Sequence, residues 1–203
     1  VSNHSFVLQK TSLLMPGLKA AARNFIDSSK TSRLLMKTYV NGKDCSGLTI
    51  GEAKEELEKL YGIKVLALAA DINAGADNEA TAKMVAEKAV SEFGRIDVLI
   101  NNAQASASGV PIQDHTTEQF NLAMYSGLYA AFYYMKHAYP YLKESKGSVI
   151  NFASGAGLFG NFGQSSYAAA KEAIRGLTRV AATEWAQDGV NANVVCPLAW
   201  TAQ

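Results

Sequence analysis

A hydroxyl, a phenol and an ammonium fall close together in this chain, at Ser154, Tyr167 and Lys171. Tyr167 and Lys171 are four residues apart, so on a helix they project from one face. A free tyrosine titrates at about 10, too high to shuttle a proton at neutral pH. An ammonium about 4–6 Å away favours the phenolate and lowers that value by one to three units; two units correspond to about 2.7 kcal/mol. The pair reads as an acid/base phenol with a tuning cation. A serine hydroxyl beside it would hold a reacting oxygen and stabilise charge developing there.

The surrounding run, SGAGLFGNFGQSSYAAAK (154–171), reads as the end of a strand, a glycine-rich loop and the start of a long helix. Ser165 or Ser166 is a natural N-cap, followed by the helix formers Ala168, Ala169 and Ala170. The chain contains three Tyr-x-x-x-Lys pairs, at Tyr39/Lys43, Tyr139/Lys143 and Tyr167/Lys171. An isolated pair of this kind is ordinarily a solvated helix face. Only the third has the serine, the glycine loop and the strand–loop–helix setting. Taken singly, Ser154 also fits a strand end, Tyr167 an interface and Lys171 a solvated position.

The run SVINFASGAGLFGNFGQSSYAAAKEAIRGLTRVAATEWAQDGVNANVVCP (148–197), with LINNAQ at 99–104, resembles the catalytic half of the short-chain dehydrogenase/reductase family. The resemblance implies an α/β chain with a Rossmann-like doubly wound parallel sheet and helices on both faces, residues 1–203 forming one domain. It implies an NAD(P)-dependent oxidoreductase that interconverts a carbonyl and an alcohol. The nicotinamide carries the hydride, and the protein positions it and handles the proton. By resemblance Tyr167 is the acid/base and Lys171 tunes it and binds the ribose, while Ser154 positions the substrate oxygen. Asn101, Asn102 and Ala103 line the nicotinamide ribose, and Asp71 with Ile72 lies at the adenine. Asp71 is read equally well as a helix cap. Pro197 and Thr201 fall where the family binds the nicotinamide amide. A homodimer or homotetramer is implied, through the long aromatic helix expected over 117–142 and the Tyr167 helix.

Several positions depart from the family pattern. Gln104 replaces the glycine that follows Asn-Asn-Ala, which is expected to narrow the space beside the cofactor. Gly127 stands where a helix asparagine completes a Ser–Asn–Tyr–Lys relay, with Ser126 adjacent. Leu198 replaces the glycine after Pro197, and Thr201 comes four residues after that proline rather than five. Gly17 is the only glycine in the first 41 residues, so the glycine-rich turn that would let backbone amides approach a pyrophosphate is missing. The family's substrate-binding helices and last strand are also absent. These departures make a catalytically inactive binding or structural scaffold, or an incomplete chain, the alternative reading.

Alternation of strand-like and helix-like runs supports the same class. GEAKEELEKLYG (51–62) reads as a helix with Leu57, Leu60 and Tyr61 as its apolar stripe, and IKVLALAADI (63–72) as a buried strand. A helix follows over 79–93 with Met84, Val85, Ala89 and Phe93 on one face, then GRIDVLINNA (94–103) as a strand ending in an Asn pair, and Thr116 with Gln119 makes a capping box. SVINFAS (148–154) and VNANVVCP (190–197) are later strands, and Gly189 ends the helix between them.

Bulk properties remove other classes. A net charge of +1 gives no footprint for nucleic acid or an anionic membrane. No apolar run approaches the roughly 18 residues of a spanning helix, and VSNHSFVLQK lacks a signal-peptide layout. Two cysteines without a CxxC and three scattered histidines offer neither a disulfide framework nor a metal cluster. A cytoplasmic protein acting on a small-molecule carbonyl or alcohol is expected. At the end of the expected second strand, VNGKD has no acidic residue at its tip, and Lys43 leans the cofactor towards NADP over NAD.

Overall fold

The computed structural model describes residues 39–40, 43–44, 50–68, 70, 72 and 77–197. The chain divides into two compact units, Val1–Ala70 and Asp71–Gln203. In the first, β1 (Tyr39–Val40) pairs antiparallel with β2 (Lys43–Asp44), and α1 spans Ile50–Tyr61. Ala53 and Leu57 are its buried positions, one helical turn apart. Leu60 and Tyr61, expected in the same stripe, are instead 55% and 41% exposed. Residues 63–68 form no strand. An apolar run becomes a strand only where a neighbour takes its backbone groups, and here the Glu58 carboxylate accepts the Val65 N–H at 2.8 Å.

The second unit carries a three-stranded parallel sheet in the order β3 (Val98–Asn101), β4 (Ser148–Phe152), β5 (Asn191–Val195). Register sets Asn101 opposite Asn151 and Phe152 opposite Val195, so the three carboxyl ends form one edge. Each crossover is helical, as parallel pairing requires. Helix α2 (Asp77–Phe93) precedes β3. Between β3 and β4 run α3 (Thr117–Ala123), a π-helical turn (Met124–Tyr129) and α4 (Ala130–Ser145). The capping box at Thr116 and Gln119 is present in both directions. Lys146 then adopts a left-handed conformation and Gly147 follows, where a Cβ would collide with the Asp97 carbonyl. A short helix α5 (Gly155–Phe159) and the long α6 (Ser165–Trp185) connect β4 to β5. Gly189, at φ 76°, ends that crossover as expected.

Helices α2, α4 and α6 close one core against the sheet, built from Ala86, Ala89, Met135, Leu142, Val149 and Ala181 among others. On the opposite side Val98 and Ile100 are each 50% exposed. No described helix is long and apolar enough to cross a membrane.

One polar residue pins this core beneath the carboxyl edge. Asn151 is fully buried, and its Oδ1 accepts from Asn101 Nδ2 at 2.8 Å. Its Nδ2 faces Thr178 Oγ1 at 2.9 Å and Met135 Sδ at 3.2 Å. Asn151→Ala is expected to leave those partners short of a bond and to cost about 1–3 kcal/mol. The check is the urea-unfolding midpoint, which should fall with no change in slope.

Candidate active site

The carboxyl edge of a parallel sheet is where open α/β folds bind ligands. Three segments reach it: Asn101–Ala103 after β3, Ala153–Ser154 after β4 and Cys196–Pro197 after β5. Helix α6 starts above it. Its cap is Gln164, which makes no side-chain capping bond, rather than Ser165 or Ser166. Both serines are drawn inward: Ser166 is fully buried with its Oγ 2.9 Å from His115 Nε2, and Ser165 Oγ is buried.

Lys171 lies on α6 one turn after Tyr167 and is 4% exposed. Its ammonium donates to the Phe152 carbonyl at 2.6 Å, joining the helix to the last residue of β4. The same nitrogen lies 5.4 Å from the centroid of the half-buried Tyr167 ring, within the range at which a cation acts on a phenol. Burial pulls the ammonium down from its ordinary 10.5 to about 8, opposed by the nearby Cys196. At neutral pH Lys171 is therefore predominantly charged.

Ser154 ends the strand in extended backbone and caps α5, its Oγ accepting the Ala156 N–H at 3.2 Å. The capping and oxygen-positioning roles are compatible, because the cap uses a lone pair and the O–H remains a donor. Its carbonyl accepts from Arg175 Nη2 at 3.2 Å. Arg175 also bonds Glu172 and Cys196 Sγ, clamping the end of β4 to α6 and the end of β5. Sequence reasoning passed over Arg175, although its place four residues after Lys171 put it on the same helix face. It also missed Asn151, a lone amide inside the apolar strand SVINF.

The remaining candidates fall out as follows. Asn101 spends its amide on Asn151, Asn102 is exposed and Ala103 is half-buried. Ile72 is 1% exposed, and its carbonyl accepts from Asn78 at 2.7 Å. Pro197 is exposed. Asp71, Thr201 and the glycine-poor segment 1–38 lie outside the described residues, as does the side chain of Lys43. Gln104 turns its amide against the π-turn: a Cβ on Gly127 would lie 2.7 Å from its Cδ and Nε2. Ser126 is fully buried, accepting the Ala105 N–H at 2.9 Å and facing the Ala105 and Leu122 carbonyls.

The donor set suits a polyhydroxyl ligand with a reacting oxygen. Lys171 has N–H groups beyond the one given to Phe152, Ser154 keeps its O–H, and Tyr167 presents a phenol. Among the described residues no cluster of histidine, cysteine or carboxylate side chains could hold a metal.

A parallel sheet with helical crossovers places the chain in the open α/β class. A family model described as short chain dehydrogenase matches residues 40–202, and the chain belongs to that family, with its Rossmann-like doubly wound fold. The 12alpha-hydroxysteroid dehydrogenase of Clostridium sp. is 68% identical over 152 residues, 75% of this chain and 59% of that protein. The 2-dehydro-3-deoxy-D-gluconate 5-dehydrogenase of Dickeya dadantii is 34% identical over 160 residues, 77% of this chain and 61% of that one. A crystal structure of NAD+-bound xylitol dehydrogenase superposes with a TM-score of 0.67 at 25% identity, covering 73% of this chain and 56% of that one. The chain thus spans about three fifths of the length of these curated relatives.

The buried ammonium has a measurable consequence. With its folded value below its unfolded one, the unfolded chain holds the proton more tightly from about pH 8 to 10.5, so stability rises with pH across that window. At 1.36 kcal/mol per pH unit the gap corresponds to at most about 3 kcal/mol. Lys171→Met should abolish this rise and run parallel to the natural protein below about pH 7. Urea midpoints measured from pH 7 to 10.5 for both proteins check it.

Proposed function

We propose that the protein is an NAD(P)-dependent oxidoreductase that interconverts a carbonyl and an alcohol, with Tyr167 as acid/base. The observation that carries this reading is the buried Lys171 ammonium beside the Tyr167 ring, tied to the strand that ends at Ser154. Nicotinamide supplies the hydride when bound. Tyr167 transfers a proton to or from the substrate oxygen, which the Ser154 hydroxyl holds and polarises. Lys171 stands beside the phenol and takes ribose hydroxyls with its remaining N–H groups. Asn101 supports this edge through Asn151, while Asn102 and Ala103 border the ribose. Ile72, Pro197, Asp71 and Thr201 are the remaining cofactor positions of this reading, and one dinucleotide-binding domain is its natural unit.

For the substrate we infer a hydroxysteroid or a similarly flat apolar alcohol. The 68% identical relative is named for that activity. In the segment that links Ser154 to Tyr167, Leu158, Phe159 and Phe162 are 57%, 81% and 85% exposed, apolar side chains that such a substrate could use. We further propose a preference for NADP over NAD through Lys43, and a cytoplasmic location. Assays of the purified protein with a 12α-hydroxysteroid, its 12-ketone and each cofactor test the reading. Tyr167→Phe should lower kcat about 10²- to 10⁴-fold while the dissociation constant of the dinucleotide changes little. Undiminished turnover would exclude Tyr167 as the acid. Phe159→Ser with Phe162→Ser should raise KM for the steroid more than for a short-chain alcohol.

A homodimer or homotetramer is proposed through the outer faces of α4 and α6. There a groove of about 250 Å³ is lined by Phe132, Met135, Leu177 and Val180, and Phe132 and Val180 are 43% and 52% exposed. Val180→Asp should shift the protein to monomers in sedimentation velocity.

A further inference from the structure

Tyr167 lies in the first turn of α6, and that turn has no side-chain cap, since Gln164 makes no capping bond. An uncapped first turn opens readily, whereas a phenol that transfers a proton must be held to a fraction of an ångström. What holds this turn comes from a different element. The loop after β3 meets the turn before α6 through its backbone: the Gly109 N–H donates to the Gly163 carbonyl at 2.9 Å, and Val110 forms a parallel bridge with Gln164. The two segments touch at glycines, and a Cβ on Gly163 would stand 2.8 Å from the Gly109 Cα.

A side-chain bond completes the junction. His115 Nε2 lies 2.9 Å from Oγ of the fully buried Ser166, the residue before Tyr167. A hydroxyl both donates and accepts, so the two form one bond whichever ring nitrogen carries the proton. It is the ring's one hydrogen bond among the described residues, because Nδ1 is buried without a partner there. The imidazole is itself fixed. His115 precedes the Thr116 cap of α3 and Phe120 is the fourth residue of that helix, the two places that pack together in a hydrophobic staple. Their rings meet edge to face, with centroids 6.5 Å apart and planes at 88°. The capping box at Thr116 and Gln119 holds the backbone immediately after His115. His115 thus stands at a stapled and capped helix start and reaches across to one that has no cap of its own. Resting on the reading of Tyr167 as the acid/base, we propose that His115 is a positioning residue for the reaction. Through Ser166 it braces the first turn of α6 and so sets the place of the Tyr167 phenol.

His115→Phe keeps a ring against Phe120 and removes the bond, Ser166→Ala removes it from the other side, and His115→Gln places an amide where Nε2 stood. The first readout needs no turnover. Amide hydrogen exchange at residues 166–168 should quicken about tenfold in His115→Phe and in Ser166→Ala, and return towards the natural rate in His115→Gln. In the first two variants kcat should fall about 10- to 100-fold, while KM and the dinucleotide dissociation constant change less than about threefold. The double variant His115→Phe/Ser166→Ala leaves no polar group in the contact. Its urea midpoint should recover towards that of the natural protein while kcat stays as low as in either single variant. Recovery of kcat together with the midpoint would mean a structural role only and overturns the proposal. So does exchange at 166–168 that stays within about twofold of the natural rate in both single variants, or full turnover in them where Tyr167→Phe lacks it. If Tyr167→Phe keeps full activity while the exchange rates move as stated, the acid/base reading fails and the brace on α6 stands.

Discussion

The bond from the Lys171 ammonium to the Phe152 carbonyl is the constraint on which the site depends. An ammonium removed from water is unfavourable unless a strong acceptor is fixed in place. Here the acceptor belongs to the last residue of a central strand, and the bond is charge-assisted and short. Because Lys171 lies one turn after Tyr167, and Phe152 two residues before Ser154, one hydrogen bond fixes the phenol relative to the hydroxyl. The residual cost of burial lowers the affinity of Lys171 for its proton. The group stays charged near neutrality and close enough to a phenol to act on it.

Around this bond the carboxyl edge is held by buried polar contacts rather than by apolar packing alone. Asn151 ties β3 and β4 to α4 and α6. Arg175 ties the backbone of Ser154 and the end of β5 to the helix that carries Lys171. Ser126 ties the loop after β3 to the π-turn. Each such group is costly when left unpaired, so each disfavours any arrangement of the strand ends but one. The same logic joins Gln104 to Gly127. Read singly, an added amide and a lost side chain each look damaging; together they conserve volume and place one buried acceptor.

Much of this was legible beforehand. Ser154, Tyr167 and Lys171 were marked by type and spacing, and α2, α6, β4 and the capping box at Thr116 lie where periodicity and local chemistry put them. The errors share a cause. Residues 63–68 have the composition of a buried strand, but a carboxylate takes the backbone N–H of Val65. Leu60 and Tyr61 extend an apolar stripe whose buried side is Ala53 and Leu57. Ser165 and Ser166 have the chemistry of caps, yet the interior claims both.

The sequence by itself determined the family, the helical spacing of phenol and ammonium, and the strand–turn–helix order that brings them to one edge of a sheet. Such features depend on local periodicity and on residues close together in the chain, which a linear reading captures. The tertiary structure alone decided that Lys171 is buried and bonded to Phe152, that Arg175 supports Ser154, and that Gln104 occupies the space at Gly127. These pairs are separated by 19, 21 and 23 positions. Nothing in either partner alone specifies volume complementarity or the loss of water, which exist only once packed elements bring the two together.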